Sequence, residues 1–476
     1  MTDLARRVAR NTGAVLTAHA LSRGVSLLVV IFVARYLRQE GFGLFSFVFA
    51  YVELFAIFTD LGINAVLVRE IARDRSAADR LLGAGLSLKL FLSLGGMLLS
   101  WAVISVLPYP WTTRLLVYLA SLALFTSFRL PSFRSLFDVI FRVELTMKHP
   151  AFLGLLSEVL AASASLLVIA LRGGLMALVL VQVFAGLPGF FLLVHRFRKS
   201  VPIRWVLDIA LCRRILGESL PLALAGIFVL FYSRVDVLML SLMKGDAAVG
   251  YYAAAYRLTG ALKLIPWALM LSLYPVMSQY HQVSADALRK IFHRAFDVLV
   301  FIAAPMAVLL SVLPEPILRL LYGQAFAAST PALIFLGWTA AFNSLSHLVM
   351  TTLNAMNKQV LNAWLAFSAV LLNVAVNLLL IPRYSFVGAS VAALLTEVVY
   401  MVVGFTFIAR HLGWIPPGLA FRYCLSAGLT GILLYVIQVH PILQFFLGVS
   451  AYTVFVFMFR GLTREELAAI KAVFVK

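Results

Sequence analysis

The sequence predicts an all-α integral membrane protein of about fourteen transmembrane helices, built as two pseudo-symmetric six-helix lobes plus two C-terminal helices. Three observations lead there. Of 476 residues, 63% are hydrophobic and only 12% charged, and mean hydropathy is +0.99, which leaves too little polar surface to cover a water-soluble globule. Apolar runs of about 20 residues, long enough to cross a hydrocarbon core, recur without polar domains between them. Lys and Arg collect in alternate loops, as a topology signal does.

Arg6, Arg7 and Arg10 precede the first apolar run, which continues to about Ala34 with no small-residue cleavage site; it reads as span 1 (12–34), not as a signal peptide. Spans 2 to 6 follow at 42–62, 81–107, 115–137, 151–171 and 174–194. Between spans 6 and 7, Ile203, Val206, Leu207, Ala210 and Leu211 recur at helical spacing. That spacing predicts a short interfacial helix with Arg204, Arg213 and Arg214 facing anionic headgroups. Spans 7 to 12 fall at 216–242, 250–275, 295–313, 331–355, 360–381 and 386–409, and the last two at 420–437 and 441–459. The expected organisation is an N-lobe over 1–200, a cytoplasmic linker helix over 201–215, a C-lobe over 216–410, and 411–476 with the final spans and a cytoplasmic tail.

With the amino terminus in the cytoplasm, the loops on that side carry 27 Lys and Arg. The opposite side carries seven: Arg35, Arg38, Arg114, Arg172, Lys244, Arg319 and Arg383. This is the positive-inside pattern for a multi-pass protein of the cytoplasmic (inner) membrane with both termini cytoplasmic. The halves also echo one another. Gly43-Leu44-Phe45 opening span 2 corresponds to Gly250-Tyr251-Tyr252 opening span 8, at an offset of 207, and Lys148 before span 5 to Lys358 before span 11, at 210. Six spans between equivalents give both halves the same orientation, hence a parallel repeat about an axis normal to the membrane.

The formal charge of +19 does not point to nucleic acid, because the basic residues form no block interleaved with aromatics. Cys212 and Cys424, the two cysteines, form neither a CxxC pair nor a metal-spaced cluster. There is no GxxxxGK[ST] phosphate loop, no HExxH and no GxSxG elbow. No metal or organic cofactor is expected, and the reading is a non-enzymatic one.

Several segments together resemble a known family: Arg35-Tyr36-Leu37 with Gly41-Phe42-Gly43-Leu44-Phe45, then Asp60-Leu61-Gly62 and Arg69-Glu70-Ile71-Ala72-Arg73, Asp236 with Val249-Gly250-Tyr251-Tyr252, and Leu321-Tyr322-Gly323. The chain resembles the polysaccharide transporter (Wzx-like, O-antigen flippase) branch of the multidrug/oligosaccharidyl-lipid/polysaccharide exporter superfamily over nearly its whole length. The resemblance implies two six-helix lobes around a cavity that opens alternately to either side. It also implies a polyprenyl-(pyro)phosphate-linked oligosaccharide as cargo, carried from the inner to the outer leaflet for polysaccharide or O-antigen biosynthesis. Membrane lipids and other polysaccharide-assembly membrane proteins are the remaining partners expected.

Ionisable side chains at span depth are costly and therefore candidates for function. The cations are Arg23 (span 1), Lys89 (span 3), Arg234 (span 7), and Arg257 and Lys263 (span 8). In the resembled fold spans 1 and 8 line the cleft, which makes Arg23, Arg257 and Lys263 the leading candidate pyrophosphate contacts, with Lys89 and Arg234 as further candidates, a guanidinium forking two donors onto phosphate oxygens. Salt bridging to Glu53 or Glu397 is the competing role. Glu53 and Asp60, seven apart on one face of span 2, together with Asp236 and Glu397, are candidates for H⁺ or Na⁺ coupling or gating. Related lipid II flippases carry cavity arginines on spans 1, 2 and 8; here span 2 has Glu53 instead. A lipid II flippase or a cation-coupled drug antiporter of the same superfamily is the alternative, the latter expected to have an acidic cavity. A membrane-embedded glycan polymerase or ligase is disfavoured by the sparsely charged external loop near 314–330, with Glu315 and Arg319 alone.

Overall fold

The computed structural model describes residues 3–199, 205–415 and 418–459, with helices and turns and no strand among the described residues. Packing divides the chain into two compact units, Met1–Gly250 and Tyr251–Lys476. The lobes expected from span order break near residue 200; by packing, the seventh span lies in the first unit.

In the first unit, spans 1 and 2 form α1 (Asp3–Ala56), folded at Arg38, where φ is 55° and ψ −170°. A straight helix of its 54 residues would run about 80 Å against a hydrocarbon core of about 30 Å. The fold at Arg38 resolves that mismatch, at a backbone strain of about 1–3 kcal/mol for a side-chain-bearing residue at positive φ. One turn beyond the kink, α1 meets the start of α11 (Asp246–Leu262) at backbone level. A Cβ on Gly43 would lie 2.8 Å from the Gly250 nitrogen and closer still to the Asp246 carbonyl; a Cβ on Gly250 would lie 2.8 Å from the Gln39 carbonyl carbon. Gln39 and Asp246 share the 207-residue offset of Gly43 and Gly250. The contact is reciprocal, and only glycine fits at either position.

A 3₁₀ turn (Ile57–Thr59) ends α1, and Leu61 and Gly62 at positive φ lead into α2 (Ile63–Arg73). The core of this unit joins Ile63, Leu67 and Ile71 of α2 to Leu82 and Leu86 of α3 (Ala78–Val106) and to a cluster of phenylalanines. In that cluster Phe137 and Phe197 meet edge to face at 5.1 Å. Span 4 is not one helix. It comprises α4 (Trp111–Ser121), α5 (Ala123–Thr126), an irregular stretch at 127–132, a 3₁₀ turn (Phe133–Phe137) and α6 (Asp138–Val143). Then α7 (Lys148–Ala170) packs along α1. Span 6 is also broken, into α8 (Leu175–Phe184) and α9 (Leu187–Arg198). At that break Gly186 lies against the Thr126 carbonyl, which a Cβ would approach to 2.9 Å.

The expected interfacial helix over 201–215 is not a separate element among the described residues. Residues 205–208 are non-helical, and the Asp208 carboxylate accepts from the Leu211 N–H at 3.0 Å. That N-cap starts α10 (Ile209–Lys244), so 209–215 are the first turns of a long helix. Ile203 and Arg204 lie outside the described residues.

In the second unit α11 bends by 45° into α12 (Leu264–Val283). There follow α13 (Ala285–Val312), α14 (Pro314–Tyr322), α15 (Thr330–Ala355) and α16 (Gln359–Leu412). A second fold at Ser385, φ 52°, divides α16 as Arg38 divides α1. Met277, Phe292, Leu348, Val349 and Ile408 form its core. The last helices, α17 (Gly418–Val436) and α18 (Pro441–Met458), dock on α13, with the Tyr452 hydroxyl donating to the Phe301 carbonyl at 2.9 Å.

By length and hydropathy ten helices among the described residues can cross a membrane, eleven with the bent pair α11–α12. The expected fourteen is not reached on this criterion for two reasons. The folded helices α1 and α16 each count once, and the span 4 helix Trp111–Thr126 stops short of spanning length. Large apolar side chains such as Phe91, Leu98, Leu167, Leu379 and Phe446 face outward, as in a multi-pass membrane protein solvated by lipid.

Candidate functional site

The break in span 4 builds the site. Pro131 lacks an N–H and disfavours helical backbone at Leu130. Ser127 compensates locally: its Oγ accepts from the N–H groups of Arg129 and Leu130, both at 3.1 Å. Its carbonyl accepts from Ser132 Oγ at 2.8 Å and Arg134 Nε at 3.0 Å. Non-helical backbone persists inside an apolar run only where such partners exist or where it borders a cavity, and here both hold.

The cavity, about 430 Å³, lies within the first unit between α1, the broken span and α7. Arg23, Arg129, Arg134 and Arg142 line it, with Asp138 and Glu158 as the carboxylates among the described residues. Arg129 grips Glu158 with two donors, Nε to Oε2 at 2.7 Å and Nη2 to Oε1, while Nη1 reaches Gln182. Arg134 donates to Asp138 at 2.9 Å and stacks over Phe128 at 4.0 Å. Both carboxylates are thereby spent on fixing two arginines. Arg23 and Arg142 make no ion pair among the described residues, so the cavity holds two uncompensated guanidinium groups. An anion with several oxygens, such as a phosphate or pyrophosphate, is the complementary ligand.

Of the residues expected from the sequence to contact pyrophosphate, Arg23 alone lines this cavity, and of the acids within spans, Glu158 of span 5 does. Lys89 is wholly buried, its Nζ bonded to Asp60 at 2.9 Å, Asn64 at 3.2 Å and Ser135 at 2.7 Å. Its charge is therefore used inside the protein. Arg234 pairs with Glu53 at 2.7 Å. Glu53 and Asp60 were expected on one face, but α1 ends at Ala56, the 3₁₀ turn intervenes, and each carboxylate serves a different cation. Asp236 is buried on α10 at 5% exposure. In the second unit Arg257 lies within electrostatic reach of Tyr322. Lys263 stands at the break between α11 and α12, 5.4 Å from the Tyr256 ring. Glu397 is buried on α16, and both it and Lys263 act on His347.

Sequence reasoning passed over Arg129, Arg134, Asp138 and Arg142. A continuous span 4 puts these residues at a cytoplasmic edge, where basic side chains are unremarkable. The signal that finds them is Ser127, Pro131 and Ser132 around two arginines within one apolar run.

A second polar cluster joins α2 and α10 in the first unit. Glu70 of α2 pairs with Arg69 at 3.0 Å and with Arg73 and Arg214 at 3.5 Å, while Glu218 of α10 binds Arg214 at 2.9 Å and also Arg69. Arg69 and Glu70 of the sequence motif therefore tie α2 to α10, while Arg73 pairs within α2.

A family model described as polysaccharide biosynthesis protein matches residues 8–281, and one described as MatE matches 221–379. The probable low-salt glycan biosynthesis flippase Agl15 of Haloferax volcanii is 24% identical over 229 residues, 46% of this chain and 48% of that protein, so the matched stretch spans about half of the relative. Among solved structures, the lipid II flippase MurJ in an inward closed conformation superposes with a TM-score of 0.76 at 14% identity, covering 93% of this chain and 98% of that one. An inward-facing multidrug resistance MATE family transporter of the MOP superfamily gives 0.69 at 14% identity, covering 83% and 94%. With more than half of its length matched by the family model, the chain belongs to the polysaccharide biosynthesis protein family, and it has the fold of the multidrug/oligosaccharidyl-lipid/polysaccharide exporter superfamily.

Proposed function

We propose that this protein is a flippase that moves a polyprenyl-(pyro)phosphate-linked oligosaccharide from the inner to the outer leaflet of the cytoplasmic membrane by alternating access, with fourteen spans and both termini cytoplasmic. The carrying observation is the pair Arg23 and Arg142, two guanidinium groups that make no ion pair among the described residues and that line one cavity. Such a cavity attracts a phosphate-bearing headgroup, and the name of the Haloferax relative supports a glycan carrier. Arg257 and Lys263 are proposed anion contacts of the second unit.

Coupling to H⁺ or Na⁺, where it operates, acts through the carboxylates. Protonation of Asp60 would release Lys89, and protonation of Glu53 would release Arg234, because each carboxylate now neutralises its cation. Asp236 and Glu397 are the remaining candidates. The MatE match over 221–379 favours a drug antiporter as the second reading; an organic cation as cargo, however, is repelled by an arginine-rich cavity.

Complementation of a flippase-deficient strain tests the reading. Arg23→Ala and Arg257→Ala are each expected to abolish complementation while leaving membrane insertion intact. Full activity of the double variant would refute anion recognition by these residues.

A further inference from the structure

A second, larger space in the first unit has a different chemistry. About 760 Å³ in volume, it runs between α1, α7 and α9. Its walls are Ala14 and Ala18 of α1, whose small side chains leave the room, with Phe152 and Leu153 of α7 and Leu192 of α9. Phe152 is 63% and Leu192 49% exposed, so the groove opens outward toward lipid. Its rim is basic. Lys148 and His149 stand at the start of α7, and His195, Arg196 and Lys199 at the end of α9, spaced so that Leu192, His195, Arg196 and Lys199 share one helix face. Lys148 and Arg196 both act electrostatically on His149 and so crowd the same place.

Among the described residues no carboxylate lines the groove, and Lys148, Arg196 and Lys199 make no ion pair. Three uncompensated cations over an apolar slot, at the end of the helices where Lys and Arg are concentrated, match one kind of occupant. We propose that this groove binds an anionic glycerophospholipid of the phosphatidylglycerol type from the cytoplasmic leaflet, its phosphate at Lys148, Arg196 and Lys199 and its acyl chains along Ala14, Ala18 and Phe152. Charge selects an anionic over a zwitterionic headgroup. The lining also separates this occupant from a glycan-bearing lipid. Among the described residues its lining holds no Asn, Gln, Ser, Thr, Tyr or Trp to receive sugar hydroxyls, the nearby Asn11 amide oxygen being taken up by the Lys148 N–H at 3.0 Å, whereas the arginine cavity described above is lined by Ser22, Ser26 and four arginines. The site thus works beside the proposed cargo site as a lipid contact that ties α1, α7 and α9 together.

The test uses the full chain purified from mixed phosphatidylcholine and phosphatidylglycerol, with lipids retained after detergent washing counted by native mass spectrometry. Wild-type protein is expected to retain one phosphatidylglycerol. Lys148→Gln/Arg196→Gln/Lys199→Gln is expected to weaken retention about a hundredfold, and Arg196→Gln alone several-fold, each cation near the surface contributing a comparable factor. Ala18→Trp, which fills the groove and leaves every charge in place, is expected to lose the lipid as well. Equal retention of phosphatidylcholine, unchanged retention in the triple variant or in Ala18→Trp, or replacement of phosphatidylglycerol by polyprenyl phosphate would each overturn the proposal. A triple variant that fails to fold leaves Arg196→Gln and Ala18→Trp to decide it. Loss of transport in Arg23→Ala with lipid retention intact separates this site from the cargo reading.

Discussion

Replacing Gly43 by alanine puts one methyl group where α1 and the start of α11 touch. Inside a helix, glycine to alanine alone stabilises by roughly 0.5–1 kcal/mol. At Gly43 the new Cβ would stand 2.7 Å from the Asp246 carbonyl carbon and 2.8 Å from the Gly250 nitrogen, both well inside van der Waals contact. The obstacle is backbone, which has no rotamer to turn away, so the helices must part by about 1 Å or accept overpacking of roughly 1–3 kcal/mol. Overpacking less the helical gain leaves a net cost of about 1–2 kcal/mol, a roughly 5- to 30-fold shift toward the open contact. Ser46, one turn along α1 and 7% exposed, reports that opening as Ser46→Cys in a background with Cys212→Ser and Cys424→Ser. The labelling rate with a membrane-impermeant thiol reagent is expected to rise by that factor in Gly43→Ala and equally in Gly250→Ala. Gly95→Ala, where nothing lies within 4 Å, should leave it unchanged. Identical labelling and thermal stability for Gly43→Ala and Gly95→Ala would refute the reciprocal backbone contact.

Three further outcomes follow from the ion pairs. Arg129→Ala strands the buried Glu158 carboxylate and should lower stability by about 3 kcal/mol in a thermal unfolding assay, whereas Arg23→Ala, which breaks no pair, should leave stability near wild type and impair transport. Lys89→Met should be strongly destabilising because Asp60 loses its partner, and Lys89→Met combined with Asp60→Leu should recover part of the loss, a coupling that a double-mutant cycle reads directly. Asp208, outside the spans, is held below the ordinary carboxylate value of 3.8, first by the hydrogen bond from Arg80 and then by the Leu211 N–H. A carboxyl depressed on folding contributes stability that is present above its unfolded pKa and lost as pH falls through the folded value. The wild type should therefore soften below about pH 3.8, and Asp208→Asn should flatten that dependence in unfolding measured across pH.

Span positions were legible because lipid solvation imposes a simple rule on composition and length, and the two C-terminal helices emerged where the apolar runs placed them. Gly43 and Gly250 were legible as a matched pair, and each is glycine because a backbone crossing leaves no room for a Cβ. Breaks inside spans were harder to read. Hydropathy averages over a window, so Pro131 and its serines vanish into span 4, and Lys263 into span 8. Salt bridging to Glu53 was an expected competing role, but which cation takes which carboxylate was invisible because it is tertiary: Lys89 and Asp60 are 29 residues apart, Arg129 and Glu158 likewise, and nothing local distinguishes Arg234, which meets Glu53, from Arg23, which does not. A list of intramembrane charges therefore mixed cations consumed by the fold with one that faces a cavity.

The most direct test of the central claim reconstitutes purified protein in liposomes with a fluorescent polyprenyl-pyrophosphate oligosaccharide, an impermeant quencher reporting how fast the probe crosses between leaflets. Wild-type protein is expected to equilibrate the probe, Arg23→Ala/Arg142→Ala to slow it at least about tenfold through loss of the charge-assisted contacts, and an uncharged polyprenol glycoside to cross no faster than in protein-free liposomes. Wild-type rates in the double variant, or equal rates for charged and uncharged probes, would contradict a flippase that recognises its cargo by the pyrophosphate.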